Sequence, residues 1–450
     1  MSASNEYNKL FTIKGLSNTF ETYIKFNTAA GIDKINYDRF ESQKNEYFNI
    51  IKNKVISGKY RFTPYKERLI LKSKHSLPRV ISIPTIRDKI VLKNLHLILS
   101  KTFDVHQHLP QKYLQDLKDN LQEYDSFLKI DISNFFGTLK HGILLDKLKT
   151  KIRKKEILEL IHKAITTPNF PNTYELITEG VPQGLPISNI LAHIYIDDLD
   201  RKFKSMEDIM YLRYVDDILI FCQQSSLNNI ERQIKYQLEA IHNLKLNNEK
   251  TKKGYLTDGF DYLGYSIELL GNGQIGMKVK ESARKRFENS LVNLFTEYKY
   301  SKEISPKQFI FRLNNKITGS ISSKVDGDET REHKYGWLFY YSQMDDIKFL
   351  YHLDWFIKKM FEDFALGNID LSEIKSFVKA FYEIKYNVKE SEYFHRPDSL
   401  SDQEKKKLLM EVFNIHKEKL LDKSQLNRQY YRCVYKPIKD YERDIQKIKS

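Results

Sequence analysis

Two adjacent aspartates, Asp216 and Asp217, interrupt a run of aliphatic, β-branched and aromatic residues between Tyr211 and Phe221. Such a run predicts two short strands, with the aspartates at the bend between them. A buried carboxylate without a basic neighbour is costly, because burial disfavours its charged form. A divalent cation would remove that cost, and Mg²⁺ prefers hard oxygen ligands, commonly one or two carboxylates together with substrate phosphates. The run therefore predicts a magnesium site on a hairpin, although an Asp-Asp pair considered alone would more simply be a solvated turn.

A second aspartate-bearing strand lies upstream. Between Phe127 and Phe136, apolar residues lead to Asp131 and aromatic residues follow it. The separation between Asp131 and Asp216 is long enough for their strands to pair in one sheet. Polymerase-type phosphoryl transfer uses two metal ions about 3.5–4 Å apart, and such a pair requires carboxylates gathered from separate strands. We therefore expect Asp131, Asp216 and Asp217 to converge on two Mg²⁺ ions.

The chain is strongly basic. Its 450 residues include 74 Lys and Arg against 59 Asp and Glu, a net charge of +15. This excess predicts a polyanionic partner, either a nucleic acid or an acidic membrane surface. The sequence has no apolar stretch of about 18 residues and no signal-peptide core at its start, so we expect a cytoplasmic protein that binds nucleic acid and no membrane. The two cysteines, Cys222 and Cys433, are too few for a structural zinc site.

Two short β-like stretches, residues 68–72 and 79–84, carry basic side chains that include Lys72 and Arg79. A ribbon with such side chains could hold a triphosphate, because guanidinium binds phosphate in a bidentate fork and lysine acts as a point charge. A solvated basic hairpin is an equally open interpretation of this stretch alone. Downstream, the turn at 180–188 is rich in Gly and Pro and allows backbone to approach a ligand closely.

Prolines concentrate in the first half of the chain, which predicts a turn-rich α/β first half and a mostly helical second half. Residues 1–58 are predicted to be helical, with a break near Gly31. Residues 147–163 are predicted to form one basic helix. The polar stretch 322–334 is predicted to be a loop that interrupts the C-terminal helices.

Two further Asp-Asp pairs are not candidates for a metal site. Asp197-Asp198 is predicted to sit late in a helix that begins near Ser188, and to be exposed to solvent. Asp345-Asp346 is expected to be exposed as well.

Three stretches follow one another along the chain: Asp131 in its strand, the turn Pro182-Gln183-Gly184, and the hairpin Tyr214-Val215-Asp216-Asp217. In order and spacing they resemble the motifs of reverse transcriptases, over roughly residues 25–265. The resemblance implies an α+β fold of the right-hand polymerase type, with fingers, palm and thumb and a helical C-terminal extension. The implied domains are 1–125 for the fingers with an N-terminal helical extension, 126–275 for the palm with a fingers insertion at about 140–180, 276–360 for the helical thumb, and 361–450 for a helical C-terminal segment.

The resemblance also implies roles for individual residues. Asp131, Asp216 and Asp217 match the catalytic carboxylates, with Asp131 and Asp216 as the principal ligands of two Mg²⁺ ions. Lys250 matches a lysine that protonates pyrophosphate as general acid, and Phe136 matches the steric gate that excludes a 2′-hydroxyl. The remaining matches are Lys72 and Arg79 for holding the triphosphate, Gln183 and Gly184 for lining the nascent base pair, and Tyr262, Leu263 and Gly264 for the primer grip.

Other stretches indicate a bacterial subfamily. Residues 31–33 and 82–85 are similar to group II intron-like enzymes, whereas residues 185–188 and 336–341 are similar to the defence-associated (unknown-group) and abortive-infection enzymes. The cysteine count leaves no place for an HNH nuclease tail with zinc ligands. The Asn-Ala-x-x-His signature of retron enzymes does not precede Asp131.

The implied function is RNA-directed DNA synthesis in antiphage defence. The expected partners are an RNA template in the form of a dedicated non-coding RNA, the DNA product and dNTPs, with a second copy of the chain or a second defence protein left open. One alternative is a retron or group II intron-like enzyme; another is template-independent or protein-primed synthesis, for which the 29 tyrosines offer hydroxyls. A nucleic-acid-binding scaffold with an inactive polymerase core belongs to a different functional class, and the complete carboxylate set argues against it.

Overall fold

The computed structural model of the chain is a mixture of helices and sheets with helices toward the C-terminal end, which confirms the predicted α+β class. The described residues are 2–25, 29–71, 78–105, 109–171, 177–301, 303–326, 329–367, 369–440 and 445. The chain divides into two compact units. The first unit contains residues 1–108 and 124–255, and the second unit contains residues 109–123 and 256–450.

The N-terminal region is helical with a break at the predicted position. The helices as far as residue 236 are α1 Ala3–Leu10, α2 Ile13–Thr19, α3 Tyr37–Ser42, α4 Lys44–Ile56, α5 Ile86–Phe103, α6 Pro110–Asn120, α7 His141–Lys149, α8 Lys155–Ile165, α9 Ser188–Tyr195, α10 Asp197–Lys204 and α11 Gln224–Tyr236. Gly31 lies in the break between α2 and α3, and a Cβ there would come 2.8 Å from the backbone of Thr85. The Thr85 hydroxyl accepts the Asp88 N–H and so caps α5. The break therefore packs against the start of α5.

The predicted single helix over residues 147–163 is wrong, because α7 ends at Lys149 and α8 begins at Lys155. Leu148 and Ile157 are both fully buried in the core. In one continuous helix of 3.6 residues per turn these two side chains would point in opposite directions. The break lets both enter the same core.

The strands of the first unit are β1 Tyr65–Ile70, β2 Arg79–Ile83, β3 Ser126–Asp131, β4 Asn169–Phe170, β5 Met210–Tyr214, β6 Asp217–Cys222 and β7 Lys252–Tyr255. β1 and β2 form the predicted antiparallel ribbon, and β4 adds to β1 in parallel. The other four strands form an antiparallel sheet in the order β5-β6-β3-β7.

The two faces of this four-stranded sheet differ. Leu128 and Ile130 of β3 and Ile218 and Ile220 of β6 enter the main hydrophobic core, together with residues of the helices. Because side chains alternate along a strand, Asp131 and Asp217 must lie on the opposite face. The sheet thus presents its acidic strand ends away from the helix-backed core.

The second unit combines a three-stranded sheet, a hairpin and helices. Its strands are β8 Phe260–Tyr262, β9 Tyr265–Leu269, β10 Ile275–Val279, β11 Ser320–Asp326 and β12 Glu329–Tyr335. Its helices after residue 280 are α12 Glu281–Tyr300, α13 Pro306–Thr318, α14 Trp337–Tyr340, α15 Lys348–Asp363, α16 Phe377–Tyr386, α17 Asp402–Glu411, α18 Lys423–Tyr430 and α19 Lys436–Asp440. None of the helices in the described part of the chain has both the length and the apolar character needed to cross a bilayer.

The predicted polar loop at 322–334 is also wrong, because this stretch belongs to the hairpin of β11 and β12. The hairpin is anchored at its base, where Ile321 and Tyr335 are buried. The Ile321 N–H donates to the His395 carbonyl at 3.0 Å, so a second segment supports the same end. The stretch is almost wholly polar, so its sequence did not indicate the two strands. The strand pair is held by buried residues at its base.

Candidate active site

The hairpin that carries the central aspartates has a two-residue turn. β5 ends at Tyr214 and β6 begins at Asp217, and these two residues are register partners. Val215 and Asp216 form the turn, so the predicted bend is confirmed for Asp216, whereas Asp217 is already the first residue of β6. Val215 has a φ of +59°. A β-branched residue rarely adopts that conformation, so the surrounding structure must hold the turn.

Asp131 and Asp217 are directly opposed on β3 and β6. Side chains of such cross-strand partners point to the same face, with Cβ atoms about 4.5–5.5 Å apart. The Ile132 N–H donates to the Asp216 carbonyl at 3.4 Å, which ties the turn to the end of β3. The structure therefore brings the three predicted carboxylate residues together at one end of the sheet.

Lys250 lies beside the same strand end. Its ammonium Nζ is 3.5 Å from both Oδ1 and Oδ2 of Asp131. The Asn247 N–H donates to the Asp131 carbonyl at 2.8 Å, and the Lys250 N–H in turn donates to the Asn247 carbonyl at 3.2 Å. The position of Lys250 is thus fixed by the segment that leads into β7.

Electrostatics single out Asp217. Burial, reinforced by the charges of Asp216 and Asp131, raises the pKa of Asp217 to about 6 against the opposing charges of Lys129 and Lys250. A carboxyl that is hard to ionise beside two other acids is a site that a cation would stabilise. Lys129 lies on the same face of β3 as Asp131, and its charge lowers the pKa of Asp217. The sequence analysis did not identify this contribution.

Metal binding here would require few protein ligands. Across the described residues, no group of three or more His, Cys, Asp or Glu side chains already forms a metal-binding arrangement. Mg²⁺ does not need one, because it commonly takes one or two carboxylates and completes its shell with water and substrate phosphates. The opposed pair of Asp131 and Asp217 with the adjacent Asp216 fits that requirement.

Phe136 lies in a short 3₁₀ turn, Phe135–Thr138, which is separated from the end of β3 by three residues. Its ring is half-buried and 5.6 Å from the Phe135 ring. The Phe136 carbonyl accepts the Val181 N–H at 2.7 Å, which joins this turn to the start of the Gly- and Pro-rich loop. A Cβ on Gly180 would lie 2.9 Å from the Gly137 carbonyl oxygen, so the two backbones touch.

The Gln183-Gly184 turn contacts the basic ribbon. The Ser82 N–H donates to the Gln183 carbonyl at 2.7 Å. Gly184 has a φ of +99°, and a Cβ there would lie 2.7 Å from Ile81 Cγ2 and 2.9 Å from the Ser82 carbonyl oxygen. Arg79 opens β2 and is partly exposed. The ribbon and the turn are therefore one hydrogen-bonded assembly, whereas Lys72 lies outside the described residues.

The predicted primer-grip residues belong to the second unit. Leu263 and Gly264 form a two-residue turn between β8 and β9, with φ values of +47° and +83°. The Tyr340 hydroxyl donates to the Leu263 carbonyl at 2.8 Å, and the Lys280 N–H donates to the Gly264 carbonyl at 3.0 Å. The Tyr262 side chain is buried. Each of the two turn carbonyls is thereby held in a fixed direction.

The pair Asp197-Asp198 begins α10 and does not sit late in the preceding helix, which ends at Tyr195. Both side chains are about half exposed, but they are paired. Burial would raise the pKa of Asp198, yet hydrogen bonds from Lys147 and His242 outweigh it and lower the pKa to about 2. Asp198 is therefore a structural carboxylate that joins α10 to α7.

The exposure predicted for Asp345-Asp346 is confirmed for Asp345 and is wrong for Asp346. Asp346 is 17% exposed and accepts from Arg284 at 2.8 Å. Asp345 accepts from the Met277 N–H at 2.9 Å and is paired with Lys118. Arg284, Met277 and Lys118 are all distant from this pair in sequence, so no local pattern predicted these contacts.

Sequence reasoning also missed Arg213 and Asp200. These residues form a buried ion pair, and Arg213 in addition donates to the Val215 carbonyl at 2.9 Å. Arg213 stands two residues before the turn within the motif-bearing strand. Its charge inside an apolar run was the one available signal.

The family model for the reverse transcriptase (RNA-dependent DNA polymerase) matches residues 70–267. The matched span contains the three aspartates, Lys250 and both ends of the turn that contacts the ribbon. It also contains the β8-β9 turn with Leu263 and Gly264.

Among curated proteins, the chain is similar to YkfC of Escherichia coli, with 22% identity over 61% of this chain and 86% of YkfC. It is 24% identical to the group II intron-encoded protein LtrA of Lactococcus lactis, over 56% of this chain and 54% of LtrA. A putative COX1/OXI3 intron 2 protein of Saccharomyces cerevisiae is 23% identical over 58% of this chain and 37% of that protein. The chain thus spans about half or less of these two intron-encoded relatives.

Among solved structures, the chain is similar to a telomerase from Candida albicans in complex with a fragment of telomeric RNA. The TM-score is 0.42 with 16% identity, covering 91% of this chain and 65% of the telomerase.

Proposed function

We propose that residues 70–267, which match the reverse transcriptase family model, form a reverse transcriptase domain related to those of group II intron-encoded proteins, and that the chain is an RNA-directed DNA polymerase that extends a primer with dNTPs using two Mg²⁺ ions. The observation that carries the proposal is the opposed pair Asp131 and Asp217 with Asp216 in the adjoining turn. Three acidic residues at one strand end, with Asp131 and Asp217 on the sheet face away from the helix-backed core, suit a site that receives a charged substrate from outside.

Each residue at this strand end has a part in the proposed reaction. Asp131 and Asp216 would be the principal ligands of the two Mg²⁺ ions, and Asp217 would add negative charge beside them. When bound, the two ions activate the primer 3′-hydroxyl and stabilise the leaving pyrophosphate. Lys250 would give a proton to the pyrophosphate, and the position of its ammonium beside Asp131 supports that role. The buried, crowded Asp217 makes the site favour cations even before substrate arrives.

Nucleotide selection is assigned to the two loops that touch one another beside β3. The Phe136 ring would stack under the sugar and exclude a 2′-hydroxyl. Gln183 and Gly184 would line the nascent base pair, and the hydrogen bond from the Ser82 N–H to the Gln183 carbonyl supports a coupling of that lining to the basic ribbon. Arg79 and Lys72 would hold the triphosphate.

We assign the fingers to residues 1–125, the palm to 126–275, the thumb to 276–360 and a C-terminal segment to 361–450. The turn at Leu263 and Gly264 would act as the primer grip. Its two carbonyls are fixed by Tyr340 and Lys280, which supports a role in holding a primer in one position.

The test is primer extension on an RNA template by the purified chain. We expect incorporation of dNTPs with Mg²⁺, none after chelation with EDTA, and little incorporation of rNTPs. Extension that continues in EDTA contradicts the metal mechanism. Complete inactivity on every template, with Mg²⁺ or Mn²⁺, contradicts the polymerase assignment and favours a nucleic-acid-binding scaffold.

We further propose that the template is a dedicated non-coding RNA and that synthesis serves antiphage defence. The similarity of residues 185–188 and 336–341 to defence-associated enzymes and the net charge of +15 support this. Sequencing the RNA that copurifies with the chain, and the DNA made from it, tests the proposal. One dominant RNA copied at a fixed site is expected. An intron RNA or a branched RNA–DNA product favours the group II intron or retron alternative, and product formed without RNA favours template-independent synthesis.

A further inference from the structure

The turn that carries Asp216 is held in an unfavourable conformation. Val215 has a φ of +59°. Type II′ and I′ hairpin turns favour Gly, Asn or Asp at this first central position, because a β-branched side chain clashes with the backbone when φ is positive. Something outside the turn must therefore keep its geometry.

Arg213 supplies a direct contact to that turn. Its Nη1 donates to the Val215 carbonyl at 2.9 Å. Its Nε donates to Asp200 Oδ1 at 2.7 Å, and its Nη2 faces both Asp200 Oδ2 and His193 Nδ1, the latter at 3.0 Å. The guanidinium fork thus joins the turn to α9 and α10 at once, which a single ammonium could not do.

The ion pair of Arg213 and Asp200 is buried, and Asp200 accepts a further hydrogen bond. The side chains of Arg213 and Asp200 are 5% and 4% exposed. The Tyr211 hydroxyl donates to Asp200 Oδ1 at 2.8 Å, so a second residue of β5 also holds the carboxylate. A buried ion pair with this many hydrogen bonds has few alternative arrangements.

Arg213 lies on the sheet face opposite the carboxylates. Its register partner is Ile218, whose side chain enters the helix-backed core. Because side chains alternate along a strand, the side chain of the neighbouring Asp217 points to the other face. Arg213 therefore lies on the sheet face away from Asp131 and Asp217, and its contact with the turn is the hydrogen bond to the Val215 carbonyl.

We propose that Arg213 is a positioning residue that fixes the Val215 carbonyl, and with it the turn carrying Asp216, in the arrangement that binds the catalytic metal ions. The inference rests on the proposed function. Asp200 serves as its anchor, and the fixed turn removes the freedom that Asp216 would otherwise lose on metal binding.

A purely structural role makes a different prediction. Replacing both members of a buried ion pair by neutral groups of similar shape is often neutral for stability, whereas removing one member leaves an unpaired charge. The double variant Arg213→Met with Asp200→Asn therefore removes the carbonyl contact without stranding a charge, and Asn keeps an acceptor for Tyr211. The variant Arg213→Lys keeps the ion pair but loses the fork. The control is Lys147→Met with Asp198→Asn, which removes another ion pair of α10 that has no contact with the turn.

Two readouts separate positioning from stability. The first is single-turnover dNTP incorporation in Mg²⁺. The second is Mn²⁺ affinity, measured by electron paramagnetic resonance in a complex with dNTP and a chain-terminated primer, where no chemistry occurs. We expect the double variant and Arg213→Lys to melt within a few degrees of wild type, with incorporation about 100-fold slower and Mn²⁺ binding about 10-fold weaker. The control should match wild type in both.

Wild-type incorporation rate and Mn²⁺ affinity in a folded double variant would overturn the inference. If the double variant does not fold, wild-type values in Arg213→Lys overturn it equally. Failure of the proposed function is distinguishable, because in that case the wild-type chain itself shows no metal-dependent extension.

Discussion

The ammonium of Lys250 lies 3.5 Å from both carboxylate oxygens of Asp131, from a segment that is hydrogen-bonded to the backbone of the same aspartate. In the absence of substrate the lysine therefore partly neutralises the acidic strand end. Under the proposed function, the same ammonium would give a proton to the departing pyrophosphate.

Replacing Lys250 by Met should lower kcat by about 10²–10⁴-fold while changing the KM for dNTP little, because a general acid acts in the transition state. Metal binding should be retained, since a positive charge beside Asp131 has been removed. Pre-steady-state incorporation and a Mg²⁺ titration measure the two effects. The matched control is Lys235→Met, a partly exposed lysine of α11 paired with Glu231. An unchanged kcat in the Lys250 variant would remove the general-acid assignment.

The raised pKa of Asp217 predicts that the metal-free protein is destabilised by its own site. The folded-state pKa of about 6 exceeds the usual 3.8, so the folded chain holds a proton that the unfolded chain releases. The metal-free protein should therefore lose stability as pH rises from about 4 to about 6, and stay at the lower level above that range.

Asp217→Asn removes this penalty, and should stabilise the metal-free protein at pH 7.5 by up to about 3 kcal/mol for a shift of about two units. The gain should vanish at pH 4. Denaturant unfolding in EDTA at the two pH values measures it. A variant that is less stable than wild type at pH 7.5 would show that the carboxylate is not strained in the folded state.

Gly184→Ala should displace the basic ribbon from the turn. The added methyl would lie 2.7 Å from Ile81 Cγ2, at a φ of +99°. We expect a stability loss of about 1–3 kcal/mol from the backbone strain, together with a raised KM for dNTP. Gly142→Ala is the control, because nothing lies within 4 Å of its Cβ position in α7. There the change should stabilise by about 0.5–1 kcal/mol. Similar unfolding curves for the two variants would contradict the close approach.

Phe136→Val should admit ribonucleotides. Removing the ring opens the space in which a 2′-hydroxyl would sit, and discrimination based on size alone is worth about 10–200-fold. Incorporation of dNTP should fall much less. The ratio of kcat/KM for dCTP and CTP on one template measures the effect, with Phe136→Tyr as the control that keeps a ring. An unchanged ratio in the Val variant would place the gate elsewhere.

The aspartates could be predicted because their signal is local. A charged pair in a run of strand-forming residues marks its own turn, and Asp131 ends a strand of the same kind. The ribbon of β1 and β2 and the β8-β9 turn were predictable for the same reason.

What the sequence could not reveal depends on partners far along the chain. Asp346 is paired with Arg284 and Asp198 with His242, and neither pairing leaves a periodic pattern. The hairpin of β11 and β12 was missed because its strands are polar and its contacts, such as those of Ser323 with Asp398 and Glu332 with Arg396, are to residues far along the chain. The sequence shows Arg213 as a charge in an apolar strand, but its role could not be inferred. Its partner Asp200 comes close to it only when α10 packs on the sheet.

The most direct test of the central claim is single-turnover dNTP incorporation by Asp216→Asn compared with wild type, at equal protein stability and equal primer-template occupancy. If the aspartates hold the catalytic metal ions, incorporation should fall by at least about 10³-fold with the fold intact, since this variant removes a metal ligand but hardly changes shape. Incorporation within a few-fold of the wild-type rate would contradict the account.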